Sequence, residues 1–158
     1  MFWLFRGRIE QTGEFLSSST LYQPEAIIIH VGVNDVGNEM DPSELASRLI
    51  VTARNTTHRY NCKVFISEVT PFTGDMARVI RVNELIREAA DGLQNIAIIT
   101  HPDLTAEHLV DDRHLESKGP LNAPTALELL VNDMCRMVTG NRPTLRELKD
   151  TYRKTFRK

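Results

Sequence analysis

Residues 27–37 read IIIHVGVNDVG, an apolar block running into two glycines that bracket an Asn-Asp pair. With Ala26 in front, the block is an apolar run with three isoleucines that ends at Gly32. That is the composition of a strand covered on both faces, as in a parallel sheet with helices on each side. Working outward, Asp41-Pro42-Ser43-Glu44 offers an N-cap, a proline at the first helical position and a Glu three residues past the cap. Leu45, Leu49, Ile50 and Ala53 then recur at helical spacing, which predicts a helix over 42–59. Lys63–Ser67 (KVFIS) reads as a second buried strand, closed off by Thr70-Pro71. Val79, Val82, Ile86 and Ala89, with Ile80 beside them, form one stripe of a helix over 76–90, with Asp91-Gly92 as its exit. Residues 95–100 (NIAIIT) make a third apolar strand, a polar loop spans 101–119, and a last helix runs from about residue 122, with Pro124 near its start and Gly140 at its end. Upstream, residues 1–5 (MFWLF) can form a strand and residues 8–22 a helix.

Strands alternating with helices imply crossover connections. The expected fold is therefore α/β: three layers, α/β/α, around a central parallel sheet, flavodoxin-like in kind. Ligands bind such sheets at the carboxyl ends of the strands, where Asn34 and Asp35 stand. The 158 residues suit one domain over 1–139, followed by a basic tail over 140–158. The last twenty residues hold seven Lys or Arg against two acids, and are expected to form a short surface helix or a basic extension.

A composition of 41% hydrophobic and 25% charged residues with a net charge of -2 describes a soluble globular chain, cytoplasmic by default, with no general affinity for nucleic acid or anionic membranes. The tail is a thin signal for nucleic acid, since acids are interleaved in it and its aromatics are only Tyr152 and Phe156. No run approaches the roughly 18 apolar residues of a membrane span. Cys62 and Cys135 belong to no CxxC pattern and are expected as buried thiols. His30, His101, His108 and His114 show no metal-ligand spacing, so neither metal nor cofactor is expected.

Taken alone, Gly32-Val33-Asn34-Asp35 is a strand turning. The other chemically suggestive stretch is 111–119, DDRHLESKG, in which Asp111 and His114 are three residues apart. A carboxylate at that spacing can hold an imidazole in one tautomer while the other ring nitrogen acts as base. Asp112 is the nearest rival for that role.

Together, the GxND after a central strand and a DxxHL 80 positions later, with a glycine five residues beyond the His, resemble the SGNH hydrolase superfamily, the GDSL esterases. VFISEVTPF resembles that family's next strand and its proline, and RVIRVNELI the helix that carries an Asn-containing signature at Val82-Asn83. The resemblance implies ester hydrolysis through a Ser-His-Asp triad on a small-molecule ester or acylated substrate, with no cofactor. It assigns Asn34 to the oxyanion hole, His114 to the base and Asp111 to its orienting partner. Gly7, 25 residues before Gly32, is the expected second oxyanion donor, with Gly13 as the alternative.

One family block is missing. No GDS or GxS triplet occurs in the chain. If MFWLF is the family's second strand, the first strand and its serine would lie upstream of Met1. Ser17, Ser18 and Ser19 read as helix-surface or capping residues. Ser67 ends a strand on the catalytic side, where the family has no nucleophile. The nucleophile is therefore expected to be absent, leaving a part of a longer esterase, an inactive copy, or a domain completed by another segment. The alternative is a non-catalytic ligand-binding or assembly module, of the kind found in mobile-element proteins, self-associating through an exposed sheet edge.

Overall fold

The computed structural model describes residues 2–22, 24–119, 121–141, 144, 146 and 147. Four strands, β1 (Phe2–Gly7), β2 (Ala26–Val31), β3 (Lys63–Ser67) and β4 (Ile96–Ile99), form one parallel sheet in chain order. The crossovers hold α1 (Ile9–Ser18), the short α2 (Val33–Gly37), α3 (Pro42–Tyr60) and α4 (Met76–Ala90), and α5 (Ala126–Thr139) follows β4. Because parallel crossovers are right-handed, strands joined in chain order place every crossover helix on the same face. The core shows this: Ile27, Ile29 and Ile66 pack with Leu16 of α1, Leu49 of α3 and Ile86 of α4. On the opposite face Ile28, Phe65 and Ile99 meet Leu130 and Met134 of α5. The expected three layers are present.

The start signal of α3 works as read, and α4 has a cap that the sequence reading did not name. The Asp41 carboxylate accepts from the backbone N–H of Ser43 at 2.9 Å and of Glu44 at 3.2 Å, and the Asp75 carboxylate caps α4 through Arg78 N–H at 3.0 Å. Three details differ from expectation. Ala90, not Ala89, completes the buried line of α4, because 82, 86 and 90 keep the four-residue step, and Ile80 faces solvent. The last helix begins at Ala126, since Thr125 and Glu128 form a reciprocal capping box and Pro124 stands before the cap. The Val33-Asn34-Asp35 stretch is not an open turn but the helical turn α2, entered through Gly32 at φ 124.

Strand β1 pairs directly with β2 along its whole length, Phe2 opposite Ala26 through Gly7 opposite Val31. The Gly7-bearing and Asn34-bearing segments are thus immediate neighbours, and among the described residues the sheet edges are β1 and β4. The expected tail helix lies largely outside the described residues. Cys62 and Cys135 are buried free thiols, and among the described residues no helix is long and apolar enough to cross a membrane.

Candidate active site

At the carboxyl ends of β1 and β2 a cleft of about 530 Å³ is lined by Gly7, Asn34 and His114 together with Arg6, His30 and Arg113. Three of the four residues singled out in the sequence therefore share one cavity, and the fourth, Asp111, is bonded to His114. Gly13 is not among the lining residues: it faces α3, where an added Cβ would lie 3.4 Å from Thr52 Oγ1.

The loop carrying His114 is organised by Asp111. One carboxylate oxygen accepts the backbone N–H of Arg113 at 2.9 Å and of His114 at 2.7 Å, and the other accepts from His114 Nδ1 at 2.6 Å. The His114 N–H, the Arg113 N–H and the His114 ring hold the Asp111 carboxyl down from 3.8 to about 2. With Nδ1 engaged, Nε2 is the ring nitrogen left without a partner among the described residues. Asp112 is not a second partner of the imidazole. Its carboxylate takes a two-point contact from Arg113, Nε and Nη2 each at 3.1 Å.

Arg113 is the residue that sequence reasoning passed over. Its Nη1 donates to Asn34 Oδ1 at 3.4 Å, and its guanidinium lies 4.9 Å from the centre of the Phe72 ring. It also runs so close to Gly37 that a Cβ there would meet Nη1 at 2.5 Å. Arg113 thus fastens the DDRH loop onto α2 and sets His114 relative to Asn34. With Oδ1 of Asn34 turned to Arg113, its Nδ2 hydrogens have no partner among the described residues.

Two other motif residues are structural. Asp35, buried, accepts the N–H of Ile9 at 3.1 Å and so caps α1, whose own N-cap Arg8 supplies no side-chain bond; burial pushes its carboxyl up. Asn83 grips the backbone of Val69 from both sides, accepting its N–H at 2.8 Å and donating to its carbonyl at 3.0 Å. That clamp fixes the chain between β3 and Pro71. Ser17 and Ser18 bond the Glu14 carbonyl on the α1 surface, as expected of helix serines.

A second polar set was not foreseen. Ser67 Oγ lies 2.6 Å from His101 Nε2, and His101 Nδ1 lies 2.9 Å from Asp133 Oδ2 on α5. These are triad-like distances, yet Ser67 is sealed at 0% exposure, and its hydroxyl also meets His30 Nδ1 at 2.9 Å. No carbonyl can reach it there. Burial, then His101 and Arg6, push His30 down to about 3, so its ring is neutral. The one hint in the sequence was a histidine inside the apolar run of β2. Among the described residues no group of three or more His, Cys, Asp or Glu is placed to hold a metal ion.

The class defined here is a three-layer α/β/α fold with a parallel sheet and a cleft at the carboxyl ends of its strands. Among solved structures, the chain is similar to an acetyl esterase bearing a serine-to-alanine substitution and holding an acetate ion, at TM-score 0.65 and 14% identity over 89% of this chain. It is similar also to a carbohydrate esterase of family 3 from Talaromyces cellulolyticus, at TM-score 0.65 and 12% identity over 91% of this chain. The chain spans 65% of the first of these proteins and 69% of the second. At such identities the likeness is one of fold. No family model and no curated protein sequence matches the chain.

Proposed function

We propose that this chain is an SGNH-type ester-hydrolase domain that retains the carbonyl-binding and base elements of the site and lacks a working nucleophile. The observation that carries the reading is the convergence of Gly7, Asn34 and the Asp111-held His114 on one cleft at the strand ends. Asn34 offers its unpaired Nδ2 hydrogens, and Gly7 its backbone N–H, to an acyl oxygen; a preorganised donor of this kind is worth about 3 kcal/mol where charge develops. Among the described residues, the lining has two Arg and two His and no Asp or Glu, which favours a developing oxyanion. His114 Nε2 has no partner among the described residues. Thr70 and Ser117 line the cleft as well, but neither is bonded to His114. Without a hydroxyl on Nε2 the acyl-enzyme route does not run, and the cleft binds an acyl or ester carbonyl rather than turning it over.

The test joins labelling, turnover and binding. A fluorophosphonate should leave the chain unlabelled, aryl acetate hydrolysis should be the same for the wild type and His114→Ala, and ethyl acetate should shift the Asn34 side-chain amide in NMR spectra. Labelling and turnover that both disappear in His114→Ala would show a working esterase instead. An unmoved Asn34 amide would remove the carbonyl-binding reading altogether.

A further inference from the structure

The Asn34–His114 arrangement makes no use of the chain Asp133–His101–Ser67–His30. His30 of β2 and Ser67 of β3 stand side by side because Ile29 pairs with Ile66, and His101 follows two residues after Ile99, the partner of Ser67. All lie on the α5 face, and only His30 reaches the cleft.

Hydrogen positions along this chain are not independent. Asp133 accepts, so His101 Nδ1 donates; a ring carrying its one hydrogen there accepts at Nε2, and the only hydrogen at hand among the described residues is that of the Ser67 hydroxyl. Its hydrogen spent, Ser67 Oγ accepts from His30 Nδ1. Asp133 has a cationic neighbour in Arg136, at 3.7 Å, which offsets its charge. The His30 and His101 rings are 6.3 Å apart, edge to face, and a charge on one would disfavour a charge on the other. His30 Nε2 is left without a partner among the described residues, and no buried side-chain nitrogen or oxygen among them is unsatisfied, so this nitrogen is open to the cleft.

We infer that Asp133, His101 and Ser67 act as positioning residues that hold His30 in the Nδ1–H tautomer, so that its bare Nε2 accepts a hydrogen bond from a hydroxyl on the ligand. The preferred ligand is then an ester with a free hydroxyl in its alcohol or acyl part, rather than a plain alkyl ester. This rests on the ester-binding reading of the cleft.

The experiment is long-range 15N–1H correlation of the histidine rings in the labelled full chain. His30 should show a protonated Nδ1 and a bare Nε2, and Ser67→Ala should give a mixture of tautomers. A protonated Nε2 in the wild type overturns the inference whether or not the variant folds, as does an unchanged His30 signal in Ser67→Ala. Glycerol monoacetate and ethyl acetate, which share an acyl group, are then titrated. Monoacetate should move His30 Nε2 and bind about fivefold more tightly, the effect of one neutral hydrogen bond. If both esters move the Asn34 amide equally while His30 stays still, the hydroxyl acceptor is wrong and the ester cleft stands. If neither moves Asn34 while glycerol alone moves His30, the ester reading falls and the acceptor remains.

Discussion

The His114 side chain is 71% exposed, and exposed histidines are ordinarily free to turn. This one is held because Asp111 binds both its ring and its backbone N–H, so orientation comes from a three-residue local closure rather than from burial. The sequence spacing made that pair legible. It could not show that Asp112 turns instead to Arg113, because the two aspartates differ only in where the loop directs them. Asp111 should titrate near 2 rather than at 3.8, as read from its carboxyl carbon by NMR. Its folded pKa is depressed, so its stabilising contribution is complete above about pH 4 and is lost as pH falls through about 2. An ordinary titration would refute the closure. Gly32 is the other decisive residue: its φ of 124 disfavours any side chain, and an added Cβ would lie 2.7 Å from Val69 Cγ2. Gly32→Ala should cost about 2–4 kcal/mol in urea unfolding, from backbone strain together with overpacking. A loss below 1 kcal/mol, the lower end of each effect, would contradict both terms.

Among the elements, α3, α4 and α5 announced themselves through apolar stripes and caps, because helical spacing repeats several times over their lengths. The five residues of α2 are too few for a period to register. Its start depends on the Gly32 backbone, and its Asp35 is spent on capping α1 26 residues earlier in the chain. Of the described helices, α5 has the most exacting position: it supplies most of the core on its face of the sheet, with Leu104 and Leu115 beside it, and its Leu130 is both fully buried and part of the cleft wall. Leu130→Ala should destabilise the fold by about 3 kcal/mol, through lost transfer energy plus a residual cavity, in denaturant titration. A cost under about 1 kcal/mol would mean that α5 is not firmly docked.

At the scale of the molecule, both cores are built on the same four strands, with β2 contributing to each through alternate residues. Loss of either layer therefore exposes the sheet that the other packs on. Unfolding by urea should be a single transition, with coincident midpoints by far-UV circular dichroism and by methyl NMR signals from Leu49 and Leu130. An earlier midpoint for Leu130 would show α5 leaving as a separate unit. The sequence by itself determined the strand and helix order, the parallel three-layer class and the Asp111–His114 pair, because each depends on steps of two to four residues along the chain. Only the tertiary structure decided that Arg113 ties the His114 loop to α2, and that His30, Ser67, His101 and Asp133 form one hydrogen-bonded line. Those contacts join residues 32 to 79 positions apart, with no periodic signature, and they exist only once strand register and the docking of α5 bring them together.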